Sequence, residues 1–144
     1  MKTTNLFALS LVSLACAGLA IQLVPVQRSN PPVLSDLQAP AEIKAILKTS
    51  CYDCHSNESV WPWYSRVAPV SWLVASDVAR GRRHFNFSTW DSYDAKKQQR
   101  ILARTVREVE RGDMPPWYYT IKHGDAKLTP AQRALLLAWA AQNK

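Results

Sequence analysis

Glycine is scarce in this 144-residue chain, 4 in all, and none lies in a Gly-rich loop of the kind that cradles a phosphate. Cysteine is scarcer still: the 3 present leave no even set for a disulfide framework. The formal net charge is +7, yet the basic residues, most of them between Arg66 and Arg133, are spread without a run of five or more. That spacing excludes a nucleic-acid-binding tail, and no nucleic-acid partner is expected. No segment alternates apolar and polar residues as a half-buried strand would. No nucleophile is accompanied by a base and an orienting group, so the chain is not expected to be an enzyme. With 47% apolar residues the chain is too hydrophobic for a disordered one, and its length allows one core but not two catalytic domains.

What is present begins with a hydrophobic run. Asn5 to Gln27 carry no charge, and Leu6 to Val26 are dominated by Leu, Ala and Val after Lys2. As a helix this stretch spans the ~30 Å of a hydrocarbon layer and exceeds the ~7–15 apolar residues of a cleaved signal peptide. A retained anchor is the preferred reading. Cleavage near Ala20 and lipidation at Cys16, within the loose lipobox Ser13-Leu14-Ala15-Cys16, are the alternatives. All three place the body outside the cytoplasm, on the periplasmic side of the inner membrane. Residues 28–39, with Ser29-Asn30-Pro31-Pro32, read as an extended linker, and 40–144 as the folded domain.

Four helices are expected in that domain. Ile43, Ile46 and Leu47 follow Pro40 at helical spacing; Ser71 to Arg80 carries Val74 and Val78 and meets Gly81 as a stop. Tyr93 to Arg111 carries Leu102, Val106 and Val109 ahead of Gly112. Thr129-Pro130-Ala131-Gln132 is a capping box opening a helix with Leu135, Ala138 and Trp139 on one side. The fold class is therefore all-α, with long connections.

The chemistry lies in Cys51-Tyr52-Asp53-Cys54-His55. Cys-x-x-Cys-His attaches c-type haem: two thiols a helical turn apart add to the two vinyl groups, and the adjacent imidazole reaches the iron. In bacteria this attachment takes place outside the cytoplasm, in keeping with the N-terminal segment. A zinc site needs further paired ligands, but His84 and His123 are isolated; a thioredoxin-like Cys-x-x-Cys needs a βαβ pattern, which is absent. The candidate sixth ligand is Met114, the single methionine besides Met1, held in Gly112-Asp113-Met114-Pro115-Pro116-Trp117. His84 and His123 are the alternatives.

Six tryptophans are many for so small a helical domain, and Trp61-Pro62-Trp63-Tyr64-Ser65 is read either as a wall of the macrocycle or as core. Arg80-Gly81-Arg82-Arg83 offers cations to haem propionates, or is a solvated helix end.

With these features in view the chain resembles the bacterial haem-binding domain family of small, usually membrane-anchored c-type haem proteins. The matching stretches are Cys51 to Glu58, Trp61 to Ser65, Ala68-Pro69-Val70-Ser71-Trp72, Asp77-Val78, Gly81-Arg82, Asn86-Phe87-Ser88-Thr89-Trp90 and Met114-Pro115. The resemblance implies a cytochrome c-like helical fold, one haem bound through Cys51, Cys54 and His55, and ligation by Met114. It supplies no substrate or pathway. The expected function is that of a monohaem c-type cytochrome exchanging single electrons with a membrane-associated redox partner. A haem-based ligand sensor or peroxidase-like module, and a haem-bearing docking subunit of a respiratory complex, are the competing expectations.

Overall fold

The apolar N-terminal run is helical until proline ends it. In the computed structural model, which describes residues 2–143, helix α1 (Lys2–Ala20) passes into a 3-10 turn at Ile21–Leu23, and the chain is extended from Val24, ahead of Pro25. Leu6–Leu23 is long and apolar enough to cross a membrane, and none of it is buried in the protein. This segment belongs to a first compact unit, which comprises residues up to Arg28 together with Trp61–Asp77. Inside it, the Gln22 side chain donates to the Ala68 carbonyl (3.2 Å) and accepts from the Ala68 N–H (2.9 Å), and Arg28 donates to the Ser65 carbonyl (3.0 Å).

The second unit comprises 29–60 and the chain from Val78 onward. Helix α2 (Ala41–Ser50) buries Ile43, Ile46 and Leu47, the periodic positions of its sequence. A second, four-residue helix follows at once, α3 (Tyr52–His55). Helix α4 (Val70–His84) contributes its C-terminal half, α5 (Ala95–Arg111) follows, and then come the short α6 (Trp117–Lys122) and α7 (Pro130–Gln142). No strand occurs among the described residues. The cap chemistry is as the sequence dictates. Asp94 accepts from the Lys97 N–H at 2.7 Å, Gly112 takes the left-handed conformation (φ 78°) that ends α5, and Thr129 and Gln132 exchange both bonds of the capping box. Helix α7 packs on α5 and α2 around a core of Ile43, Leu47, Tyr52, Phe87, Leu102 and Leu136.

Three expectations are corrected by this packing. Residues 29–39 are not a free tether: Leu37 is 5% exposed in the core, the Leu34 and Ser35 N–H groups both donate to Ser88 O, and Lys44 reaches Asp36 and the Leu37 carbonyl. In α7 the buried positions are Leu136 and Ala140, with Leu135 and Trp139 packed beside them and Ala138 exposed. Gly81 does not stop α4, which continues to His84.

Gly81 serves instead as a point of close approach. A Cβ there would lie 2.3 Å from the Cys54 carbonyl oxygen, so α4 rests directly on the backbone of the cysteine turn. Gly81→Ala is expected to cost at least ~1–3 kcal/mol, the price of overpacking against atoms that cannot swing aside. A chemical denaturation curve of the variant checks this.

Candidate functional site

The Cys51–His55 segment is one tight turn. Cys51 (φ −128°, ψ −34°) interrupts the helix between α2 and α3, yet its carbonyl still accepts from the His55 N–H (2.9 Å) and the Cys54 N–H (3.2 Å). Residues 51, 54 and 55 are thereby brought onto one turn. Side chains behind them fix its shape. Ser56 Oγ donates to the Tyr52 carbonyl (2.8 Å), the Val60 N–H donates to Asp53 Oδ1 (2.9 Å), and Asn86 Nδ2 donates to Asn57 Oδ1 (2.8 Å). Arg82 donates to the Ser56 carbonyl, the Ser29 carbonyl, Asn30 Oδ1 and Ser59 Oγ at 2.7–3.0 Å. That guanidinium is committed to clamping loops and does not line the cavity.

The cavity, about 320 Å³, lies wholly within the second unit, and Cys51, His55 and Met114 all line it. Its size falls in the ~300–1,000 Å³ range of cofactor sites. Phe85, Phe87, Ile101 and Val109 give it apolar walls, and Lys97, Arg100 and Arg104 bring cations from α5. Cys54 shares the turn but is not among the lining residues, and the same holds for His123, which stacks on Tyr119 with ring centroids 4.3 Å apart. His84 lines the cavity, and the next residue in the chain, Phe85, stacks on the His55 ring with centroids 4.1 Å apart. The Trp61–Ser65 tract is not part of the wall; it belongs to the first unit.

The electrostatics suit a neutral donor set. Burial lowers the His55 pKa to about 4, against the opposing pull of the Phe85 and Gly81 carbonyls, so its imidazole is uncharged at neutral pH. With Nδ1 3.3 Å from the Phe85 carbonyl, the Nδ1–H tautomer places its proton there and leaves the Nε2 lone pair for a metal. Burial, reinforced by the charge of Cys54, raises the Cys51 thiol to about 12. A thioether, which carries no charge, suits that surrounding better than a thiolate. An imidazole, a thiol, a thioether, flat aromatic walls and a row of cations together fit haem, whose macrocycle is apolar and whose propionates are anionic.

The Met114 segment is tied to the cysteine turn through a contact that the sequence did not disclose. Tyr119 OH, on α6, donates to Asp53 Oδ2 at 2.8 Å, and burial together with that carboxylate pushes the phenol pKa up. Tyr119→Phe is expected to cost about 1 kcal/mol, the worth of one half-exposed hydrogen bond. Urea unfolding of the variant beside the parent protein checks this.

Fold and cavity define a helical haem-binding protein. The chain belongs to the haem-binding domain family, whose model matches residues 16–142. A curated relative, cytochrome c peroxidase Ccp of Escherichia coli (strain K12), is 27% identical over 97 residues, which is 65% of this chain and 21% of that protein. The chain thus spans about a fifth of the length of that relative. No solved structure matches.

Proposed function

We propose that the protein is a monohaem c-type cytochrome, tethered to the inner membrane by the Leu6–Leu23 helix with its haem domain in the periplasm, that passes single electrons to and from a membrane-associated partner. The observation that carries this reading is the meeting of Cys51, His55 and Met114 at one cavity of cofactor size. Cys51 and Cys54 would hold the haem covalently, and His55, neutral and oriented by the Phe85 carbonyl, would be the proximal ligand. Haem c supplies a one-electron ferric/ferrous couple when bound. Met114 would be the second protein ligand, as a neutral thioether at the cavity in a connection stiffened by Pro115 and Pro116, with His84 the alternative. His84 is the other candidate among the residues that line the cavity, on the element next to Phe85, whereas Met114 lies on the connection after α5. Lys97 and Arg100, which line the cavity, are the cations placed to pair with propionates. The remaining residues exclude water and set the potential; no side chain is asked to make or break a bond.

The match to part of a peroxidase favours one second reading, a domain that reacts with peroxide. Visible spectra of the oxidised, reduced and carbon monoxide-treated reduced protein separate the two. Sharp, split reduced bands unmoved by carbon monoxide support the electron carrier. A rapid carbon monoxide shift supports the peroxide-reactive domain and overturns the proposal.

A further inference from the structure

The Trp-Pro-Trp-Tyr tract has no part in the cavity, yet its surroundings are as distinctive as the haem motif. From Val60 to Ser76 the chain contains no acid and one cation, Arg66. Within its part from Trp61 onward, five large apolar side chains face solvent: Trp63 (77% exposed), Leu73 (46%), Val67 (45%), Val70 (44%) and Trp72 (38%). Single exposed apolar residues are ordinary, but five within the eleven residues 63–73, two of them indoles, mark a stretch that something else covers.

Its attachment identifies what covers it. Within the first unit, the segment is bonded to the C-terminal end of the apolar helix through Gln22, which holds both the N–H and the carbonyl of Ala68, and just beyond through Arg28 and Ser65. Gln22 lies in the final turn of the Leu6–Leu23 stretch, where a membrane span leaves the hydrocarbon layer. At that level Trp and Tyr are the preferred residues, since their rings are apolar and their N–H or O–H groups reach water. Arg66 can extend its charge outward from the same position. This attachment at the helix end places the segment at the level of the lipid head groups, which is what favours lipid as its cover.

We propose that Trp63, Val67, Val70, Trp72 and Leu73 seat residues 61–77 in the head-group region of the bilayer, as a lipid contact additional to the anchor helix. This rests on the reading of Leu6–Leu23 as a retained anchor.

Photolabelling tests both and tells them apart. The whole haem-loaded chain is reconstituted in phosphatidylethanolamine–phosphatidylglycerol vesicles containing a phospholipid with a diazirine near the head-group end of its acyl chain, and labelled peptides are mapped by mass spectrometry. Label is expected in the anchor helix and in residues 61–77, the latter about tenfold above α5, as befits a face lying ~5–10 Å into the head-group boundary. If the anchor is labelled and 61–77 stays at the level of α5, the inference is overturned and the anchor reading stands. Cross-linking of 61–77 to a second copy in place of lipid overturns it too. If neither segment is labelled, the anchor reading fails and the inference with it.

Discussion

Replacing Cys51 and Cys54 together by alanine is expected to abolish covalent haem: the polypeptide separated under denaturing conditions carries no haem, where the parent carries one. Each cysteine supplies one thioether in the proposed attachment, so a single replacement leaves one bond and the double replacement none. The effect reaches beyond attachment. The cavity that the haem would fill is lined by Phe85, Phe87, Ile101 and Val109, of which Phe87, Ile101 and Val109 also belong to the core. A haem that binds only the native state stabilises it by mass action, and covalent attachment makes that stabilisation independent of haem concentration. The double variant is therefore expected to lose several kcal/mol of stability, on the scale of ~3–5 kcal/mol for the loss of a large buried aromatic group. Thermal unfolding followed by circular dichroism checks this.

Met114→Ala gives the second large effect. The covalent haem remains, because Cys51, Cys54 and His55 lie on a turn that Met114 does not help to form. The iron is expected to lose its sixth ligand and bind carbon monoxide in the reduced state, and the reduction potential to fall, since a Met/His pair raises it. Met114 is 39% exposed, so its removal opens the cavity to solvent and costs the fold little. Unchanged spectra would shift the sixth ligand to His84, the other candidate that lines the cavity.

The parts of the structure legible in the sequence are those governed by local physics. The start of α7, the Gly112 stop and the buried face of α2 follow from caps and periodicity over a few residues, whereas α5 begins at Ala95 behind an Asp94 cap, two residues beyond the Tyr93 read from the sequence. The helices α3 and α6, with four and six residues, are too short to show a period. What the sequence concealed depends on partners far along the chain. Residues 29–39 look like a tether because prolines and polar residues break every pattern; they are held by Ser88, Asn57 and Arg82, 25 to 54 residues away. Gly81 looks like a helix stop because glycine often is one, and only the approach to Cys54 reveals its use.

The site divides in the same way. The Cys-x-x-Cys-His spacing and the unique downstream methionine point to residues that the fold brings to one cavity, Cys54 excepted. The cations are different: Arg82 is adjacent to the motif glycine and looked suited to propionates, yet four acceptors occupy it. Those that line the cavity, Lys97, Arg100 and Arg104, recur at i, i+3 and i+7 on α5, a helical signal that could have selected them. The Asp53–Tyr119 bond has no sequence signature, since 66 residues separate its partners.

The most direct test of the central claim is the intact mass of the denatured protein, produced in a host with c-type haem maturation and treated with a thiol-alkylating reagent. The account predicts a polypeptide heavier by one haem, with Cys51 and Cys54 refractory to alkylation. A polypeptide without added haem mass, alkylated at both Cys51 and Cys54, would contradict it.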